Sequence, residues 1–585
     1  MRSILQAKNN LPHEVYKAMN KKALALALMS FMTGFAQAQA APNAGALLNQ
    51  YNQESQKNDE QLSPRHAEKK IIFKGYAYEG LTPEEVRQAN EITDEFLGKE
   101  VPAQSFIKYI EGQLERRFGL SVVFQELPNG KIKAIHPILG AIYIDNKSKL
   151  ADSILRRTLE NGIAVGKPLN RGALEERSMV ANEIPGIVNQ YRMAPGATPD
   201  STDLYMTTQD GKTLDGYVGV DNNGTTAVGV WEAMAGITGN DLLGFGEKIS
   251  INGLKTENGQ YGGFFADAPV GSNDLRMGVN ASIYTYSYAT QGTSNNGSSL
   301  SSGYSGGASD LGINGTYVLS RSEYERSNFT FAYDHKENYS NVDITALSLA
   351  GQTSAASFKL SDWLIDVVNI GYNGMSAMLN SATASYGINA SLGHAKQMIS
   401  SAALADVDGP KQQGNYAKLN FQGVYSLPFN FLSSNYIFTS STSGQLSNKN
   451  LPNSEKFYVG GLYMMKAWSP QITGGDNAIW LELKAEKNIT EQIKAGIFAE
   501  AAYVSINSSP YSAISPNGTP VSFNEKNTMS DAGVIVSYTP IMNLDIVGTV
   551  AVKTSAKPTA YGMPIATTNN QTGNVMGFIK AMYRF

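Results

Sequence analysis

The chain has 585 residues, room for roughly four ordinary domains or for one large β-barrel with appended modules. Charged residues make up 17% and aromatics 10%, with 30 Tyr, 56 Gly and no Cys, which excludes a disulfide framework, a thiolate zinc site and a cysteine nucleophile. A formal charge of −4 excludes a generally basic nucleic-acid binder, and the longest apolar stretch, Ala23–Phe35, falls short of the ~20 residues that a membrane-spanning helix needs.

Lys21 and Lys22 precede that stretch, and Ala36-Gln37-Ala38-Gln39-Ala40 supplies small residues at the spacing a signal peptidase accepts. This order predicts a bacterial export signal over residues 1–40, cleaved near Ala38 or Ala40. Met19 would itself make an ordinary start, so residues 1–18 are either an extended leader or lie ahead of the true start. Cleavage removes five basic groups and Glu14, leaving 42 basic against 50 acidic residues and a net charge of −8. In residues 41–69, Leu47, Leu48 and Tyr51 begin a polar helical pattern that ends near Ser63-Pro64, since proline disfavours helix in the residue before it. That segment reads as a helix polar nearly all round or as one without fixed structure.

Residues 70–136 mix strand and helix signals. Ile71–Tyr78 alternates like a strand, Thr82-Pro83-Glu84-Glu85 opens a helix with proline and acids in its first turn, and Phe106, Ile107, Ile110, Leu114 and Phe118 fall at helical spacing. Leu120–Leu127 and Lys131–Ile135 read as strands joined by the hairpin signal Pro128-Asn129-Gly130. The β-α-α-β-β order recurs over residues 137–212, as strand Ile138–Asp145, helices Lys149–Glu160 and Asn170–Glu183, and a hairpin of Gly186–Ala194 with Thr202–Thr208.

From residue 213 to 585 alternation with period two dominates. Leu275, Met277, Val279, Ala281 and Ile283 oppose Arg276, Asn280 and Ser282; Ile479, Leu481, Leu483 and Ala485 oppose Glu482, Lys484 and Glu486. A soluble sandwich would alternate too. The export signal, Gly/Ser/Asn-rich stretches expected as long loops such as Gln291–Ser309, and the chain end favour a closed barrel, the form strands must take where lipid offers backbone groups no water. Sixteen strands would have about 23 residues each, enough for a tilted span of about ten plus turns. In the last strand Val575, Gly577, Ile579, Ala581, Tyr583 and Phe585 share one face; an alternating aromatic strand closed by Tyr583 and the terminal Phe585 is similar to the signal by which bacterial barrel assembly machinery recognises its clients.

The five histidines are scattered and no pair has metal-ligand spacing on a helix; the chain carries no G-x-x-x-x-G-K-[ST] loop, serine elbow or H-E-x-x-H. No enzyme, metal or cofactor is expected.

The mature chain resembles the TpsB transporters of two-partner secretion, members of the outer-membrane assembly superfamily with periplasmic POTRA modules. Ile184-Pro185-Gly186-Ile187 and Ala194-Pro195-Gly196 followed by Ser201-Thr202-Asp203-Leu204 are similar to the family's second POTRA, and Gly219-Val220-Asp221-Asn222-Asn223-Gly224 and Asn240-Asp241-Leu242-Leu243-Gly244 to its first barrel turns. The family's lumen loop, with an Arg-Gly-Tyr-like tip bonded to an Asp in a Phe-x-Asp-x-Gly strand, resembles Phe457–Trp468 here: Lys466, Ala467 and Trp468 take the tip positions, and Phe498 and Glu500 the strand positions, with Ala502 for the glycine. Both charges survive, but an ammonium lacks the two-pronged fit of a guanidinium, and Ala467 cannot take φ > 0 as freely as glycine. By alternation Phe498 and Glu500 face inward, opposite Ile497, Ala499 and Ala501. Lys466 and Glu500 read either as a lock or as two solvated lumen charges.

The resemblance implies a sixteen-stranded outer-membrane barrel over 213–585, POTRA domains over 70–136 and 137–212 in the periplasm, and a pore-plugging helix with linker over 41–69. It implies a transporter that secretes a large TpsA-type exoprotein without ATP, an adhesin, haemolysin, haem-acquisition protein or contact-dependent toxin, with outer-membrane lipids around the barrel and no nucleic acid. The alternatives are an insertase of the same superfamily and a passive porin.

Overall fold

In the computed structural model, residues 70–585 are described apart from 119–120, 128–130, 199, 294–298, 348–352, 379–380, 432–433, 515–519, 556–557, 561–562 and 565–573. The export signal, the 41–63 segment and the Pro128-Asn129-Gly130 turn expected from sequence lie outside the described residues. The first unit comprises β1 (Lys70–Ile72), β2 (Tyr78–Glu79), α1 (Pro83–Thr93), β3 (Glu100–Pro102), α2 (Ala103–Phe118), β4 (Val123–Glu126) and β5 (Ile132–Ile135). The single strand expected over Ile71–Tyr78 is two: β1 pairs with β3, and β2 runs parallel to β5. Between them Gly75 has φ +93°, a left-handed turn that no extended strand can contain. Thr82 starts α1 with a capping box, its Oγ1 accepting from Glu85 N–H at 3.3 Å while Glu85 accepts from Thr82 N–H at 2.7 Å. Ala89 and Ile92 of α1 then pack with Ile110 and Leu114 of α2 over Phe73, Phe124 and Ile132.

The second unit comprises β6 (Ile138–Asn146), α3 (Asp152–Glu160), α4 (Arg171–Asn182), β7 (Ile187–Pro195) and β8 (Ser201–Asp210), with β8 central, parallel to β6 and antiparallel to β7. Leu155, Leu159 and Leu174 of the helices bury against Leu204 and Met206 of the sheet.

The remaining strands are β9 (Leu214–Asp221), β10 (Glu232–Asn240), β11 (Lys248–Lys255), β12 (Gly259–Val270), β13 (Ser272–Thr293), β14 (Ser299–Arg321), β15 (Glu325–Leu347), β16 (Thr353–Ala377) and β17 (Thr383–Gln397). After helix α5 (Ser400–Asp408) come β18 (Gly414–Phe431), β19 (Ser434–Ser447), a hairpin of β20 (Phe457–Val459) and β21 (Thr473–Gly475), then β22 (Asn477–Asn488) and β23 (Ile493–Ser505). The chain ends with the hairpin β24 (Tyr511–Ile514) and β25 (Pro520–Phe523), β26 (Lys526–Tyr538), β27 (Leu544–Lys553), the short pair β28 (Thr559–Ala560) and β29 (Met563–Pro564), and β30 (Val575–Arg584). Sixteen of these strands close into one antiparallel barrel, β9 to β19, β22, β23, β26, β27 and β30, with β30 returning to β9.

The period-two pattern becomes the wall. Leu311, Ile313, Leu392 and Ile497 point outward and are exposed, whereas Phe498 and Glu500 beside Ile497 point inward and are buried. On β30, Val575, Ile579 and Tyr583 face outward, and Met576, Phe578 and Met582 face inward. Phe585 closes the cylinder as well as ending the chain: its N–H donates to Gly216 O at 2.9 Å and its carbonyl accepts from Gly216 N–H at 3.0 Å. Above it the β30 to β9 ladder runs only from Arg584 opposite Tyr217 to Lys580 opposite Asp221. The Asn222 side chain extends it, donating to Gly577 O at 3.1 Å and accepting from Ile579 N–H at 2.8 Å, as a backbone amide would.

A second expectation is corrected. Gln291–Ser309 is not mainly a loop, because Gln291–Thr293 and Ser299–Ser309 continue β13 and β14 in register, Thr293 opposite Ser299. Gly, Ser and Asn disfavour strand only weakly where cross-strand context is satisfied, and Thr favours it, so four strands, β13 to β16, rise together above the rim.

The second unit is fastened to the opposite rim. Arg177 of α4 donates to Asp274 at 2.5 Å, Asn161 donates to the same carboxylate at 2.9 Å, and Arg321 Nε reaches Glu183 at 2.7 Å. Gly186, in the Pro-Gly pair, has φ +78°, and a Cβ there would lie 2.6 Å from Asn240 O, so only glycine lets the unit approach the first barrel turn.

Candidate functional site

Between β19 and β22 the chain folds back into the barrel rather than projecting from it. β20 and β21 form the stem, and Gly460–Gln471 the tip. The tip turns at Met465, which has φ +58°, while Ala467 stays out of the left-handed region. The conformational demand expected at Ala467 thus falls two residues earlier, on an unbranched side chain that is buried. Met465, Ala467 and Trp468 pack with Trp480, Phe498, Val504 and Met529 of the wall.

The structure brings Lys466 and Glu500 together, with Nζ donating to Glu500 Oε1 at 2.9 Å. The contact is larger than a pair. Glu482, opposite Glu500 on β22, also accepts from Lys466 Nζ, and Asp531, opposite Glu500 on β26, accepts from Ala467 N–H at 2.9 Å. Three adjacent strands thus carry one row of carboxylates, an arrangement in which like charges repel unless a cation enters. Lys466 is that cation, and it also lies 4.7 Å from the Phe498 ring centroid. Glu500 is the hub: it further accepts from the N–H groups of Met465 (3.1 Å) and Lys466 (2.7 Å) and from Trp480 Nε1 (3.1 Å). Trp468 does not bond Glu500; its ring lies 5.0 Å beneath Lys553 Nζ. Tyr583 and Phe585 stand apart from this site, on the outer face of the closing strand.

Two further attachments hold the loop. At its base Glu455 inserts between Lys336 of β15 (3.0 Å) and Lys418 of β18 (2.7 Å), its side chain 1% exposed. Beside it Lys456 pairs with Asp476 at 2.9 Å. At the closing strands Leu462 N–H donates to Asn223 Oδ1 at 2.7 Å and Lys580 Nζ to Tyr463 Oη at 2.8 Å. Sequence reasoning missed Glu482, Asp531, Glu455 and Asn223. Alternation had put Glu482 on the polar face, but no local signal tells which inward residues of different strands share a height. Among the described residues no group of three or more His, Asp or Glu is arranged to hold a metal ion, and no helix is long and apolar enough to cross a membrane.

Residues 200–499 match the family described as haemolysin secretion/activation protein ShlB/FhaC/HecB. Among curated proteins the chain is 20% identical over 342 residues to the heme/hemopexin transporter protein HuxB of Haemophilus influenzae, covering 58% of this chain and 57% of that relative's length. In three dimensions it is similar to CdiB from Acinetobacter baumannii (15% identity, TM-score 0.58, 92% of this chain and 97% of that one). It is also similar to CdiB from Escherichia coli (15%, 0.59, 93% and 99%). At that identity these likenesses speak for the fold alone, and they agree with the barrel and its preceding α/β units. With the family match covering half of the chain, this outer-membrane β-barrel belongs to the ShlB/FhaC/HecB family of haemolysin secretion/activation proteins, the TpsB type of transporter.

Proposed function

We propose that this protein secretes a large TpsA-type partner through its barrel. The two α/β units act as POTRA domains in the periplasm, one over 70–136 and the other over 137–212, and receive the unfolded partner. The lumen loop over Phe457–Trp468 is a removable strut, locked by Lys466, Ala467 and Trp468 against Phe498, Glu500 and their neighbours. The observation that carries this reading is the loop's attachment by side-chain ion pairs and single backbone hydrogen bonds, not by a continuous strand ladder. Such contacts can be exchanged one by one for contacts to a passing chain, whereas a ladder would have to part as a whole. The sequence has no nucleotide-binding loop, so folding of the partner outside supplies the driving force by preventing its return. The 41–63 segment plugs the pore at rest, and the 1–40 segment directs export.

The partner takes its class from proteins similar to this chain: one is a heme/hemopexin transporter protein and others are CdiB proteins. The test is deletion of the gene followed by comparison of exported and outer-membrane proteins. Loss of one large exported protein, with other barrels unchanged, supports secretion. Depletion of many unrelated barrels would assign the protein to insertion instead, and an unchanged profile would leave the proposal without support.

A further inference from the structure

The upper end of β16 has a partner on one side only. β16 pairs with β15 along its length, from Thr353 opposite Leu347 downward, but β17 joins it only at Trp363, opposite Gln397. The covered part ends where Met398 N–H donates to Asp362 O at 2.8 Å and Asp362 N–H to Gln397 Oε1 at 3.1 Å. Above that point, among the described residues, no strand pairs with the second edge of Thr353–Ser361. Nine residues of strand at about 3.4 Å each present roughly 30 Å of free edge. Natural sheets protect such edges with proline, inward charges, bulges or brevity. This one has no proline, and both its single bulge, at Leu360 between Lys359 and Ser361, and its one lysine, Lys359, drawn downward by Asp362 at 2.5 Å, lie at the foot of the edge and leave Thr353–Phe358 regular.

We propose that this edge is a strand-addition site for the exported polypeptide as it leaves the pore, a reading that rests on the secretion function above. The vacant strand position lies above β17, within the barrel's own cylinder, at the rim opposite the α/β units. The chain leaving β17 forms α5 at that rim, with Leu404 69% and Val407 60% exposed, three residues apart and so on one helix face. Phe358, opposite Val342 of the buried tyrosine cluster, is 48% exposed on the inward side of the edge. A second copy of the barrel would have to lay its own wall across this rim, where α5 stands, whereas a chain emerging from the lumen arrives there. The fitting occupant is therefore an extended polypeptide whose apolar side chains alternate: its backbone completes the ladder, and alternate side chains meet Phe358, Leu404 and Val407. Main-chain bonds supply affinity with little demand on sequence, which suits a site that must start the folding of a long passing chain.

The absence of cysteine makes the test direct. Single cysteines at Ala355, Ala356 and Ser357, and a control at Glu491 on the opposite rim, are placed in the full chain in lipid nanodiscs. Each is oxidised with a synthetic peptide of alternating Val and Thr that carries one cysteine at successive positions. The expected result is disulfide trapping in one register that repeats every two residues, lost at Glu491→Cys and lost with a peptide whose Val positions are Pro. Trapping without register, equal trapping of the proline peptide, or disulfide-linked homodimers in place of peptide adducts would overturn the proposal. No secretion is needed for this readout, so its failure is separable from failure of the secretion reading.

Discussion

Lys466→Met isolates the loop lock. Methionine keeps an unbranched stem of similar length but removes the ammonium between Glu482 and Glu500, both buried along with Asp531. Removing one partner of a buried ion pair costs about 3–5 kcal/mol, because the other charge stays desolvated and unmatched. At about 1.4 kcal/mol per decade, the ratio of docked to released loop falls by roughly two to three and a half decades. The backbone donors of Met465, Lys466 and Ala467 still reach the carboxylates, so the loop is not free, only released more often. The assay uses Met464→Cys in the cysteine-free chain and the rate at which an impermeant maleimide labels it from outside the cell. The rate should rise with the released fraction in Lys466→Met and stay near the parent value in Lys466→Arg, whose guanidinium offers donors to both carboxylates. An unchanged rate in Lys466→Met, with heat-modifiable gel mobility showing a formed barrel, would refute the argument that this cation holds the tip.

Charge reversal, Lys466→Glu with Glu500→Lys, should restore secretion only in part, because the new loop carboxylate faces Glu482 and Asp531; adding Glu482→Gln should improve the rescue, measured as exported protein. Glu455→Gln strands Lys336 and Lys418 without their carboxylate, at about 3–5 kcal/mol by the same reasoning, and should expose the loop base to limited proteolysis on intact cells. Asn222→Ala removes a donor and an acceptor from the closing seam, each hydrogen bond contributing about 0.5–1.5 kcal/mol, and should lower the temperature at which the heat-modifiable form is lost. Deleting residues 41–63 should raise single-channel conductance in planar bilayers; equal conductance would remove the plug.

Much of the architecture was legible because a strand's side-chain period is two and a barrel wall has two different solvents. Alternation placed Ile497 outward and Glu500 inward, and the facing of Val575, Ile579 and Tyr583 was visible in the last strand. Thr82 and Pro83 marked the start of a helix by their own chemistry, since capping is satisfied within four residues. Resemblance singled out Lys466 and Glu500, but as a pair.

What remained hidden depends on register and closure. Period two says which face a residue takes, not its height, and a slip by two residues leaves the pattern intact while moving every cross-strand neighbour. That Glu482, Glu500 and Asp531 form one row, that Glu455 meets Lys336 from 119 positions away, and that β16 outruns β17 follow from how sixteen strands close into one cylinder. The sequence by itself determined the faces, the helix starts and the polar lumen, because those are set by neighbours along the chain. Only the tertiary structure decided which charges meet, since hydrogen-bond registry between distant strands sets the height of each one.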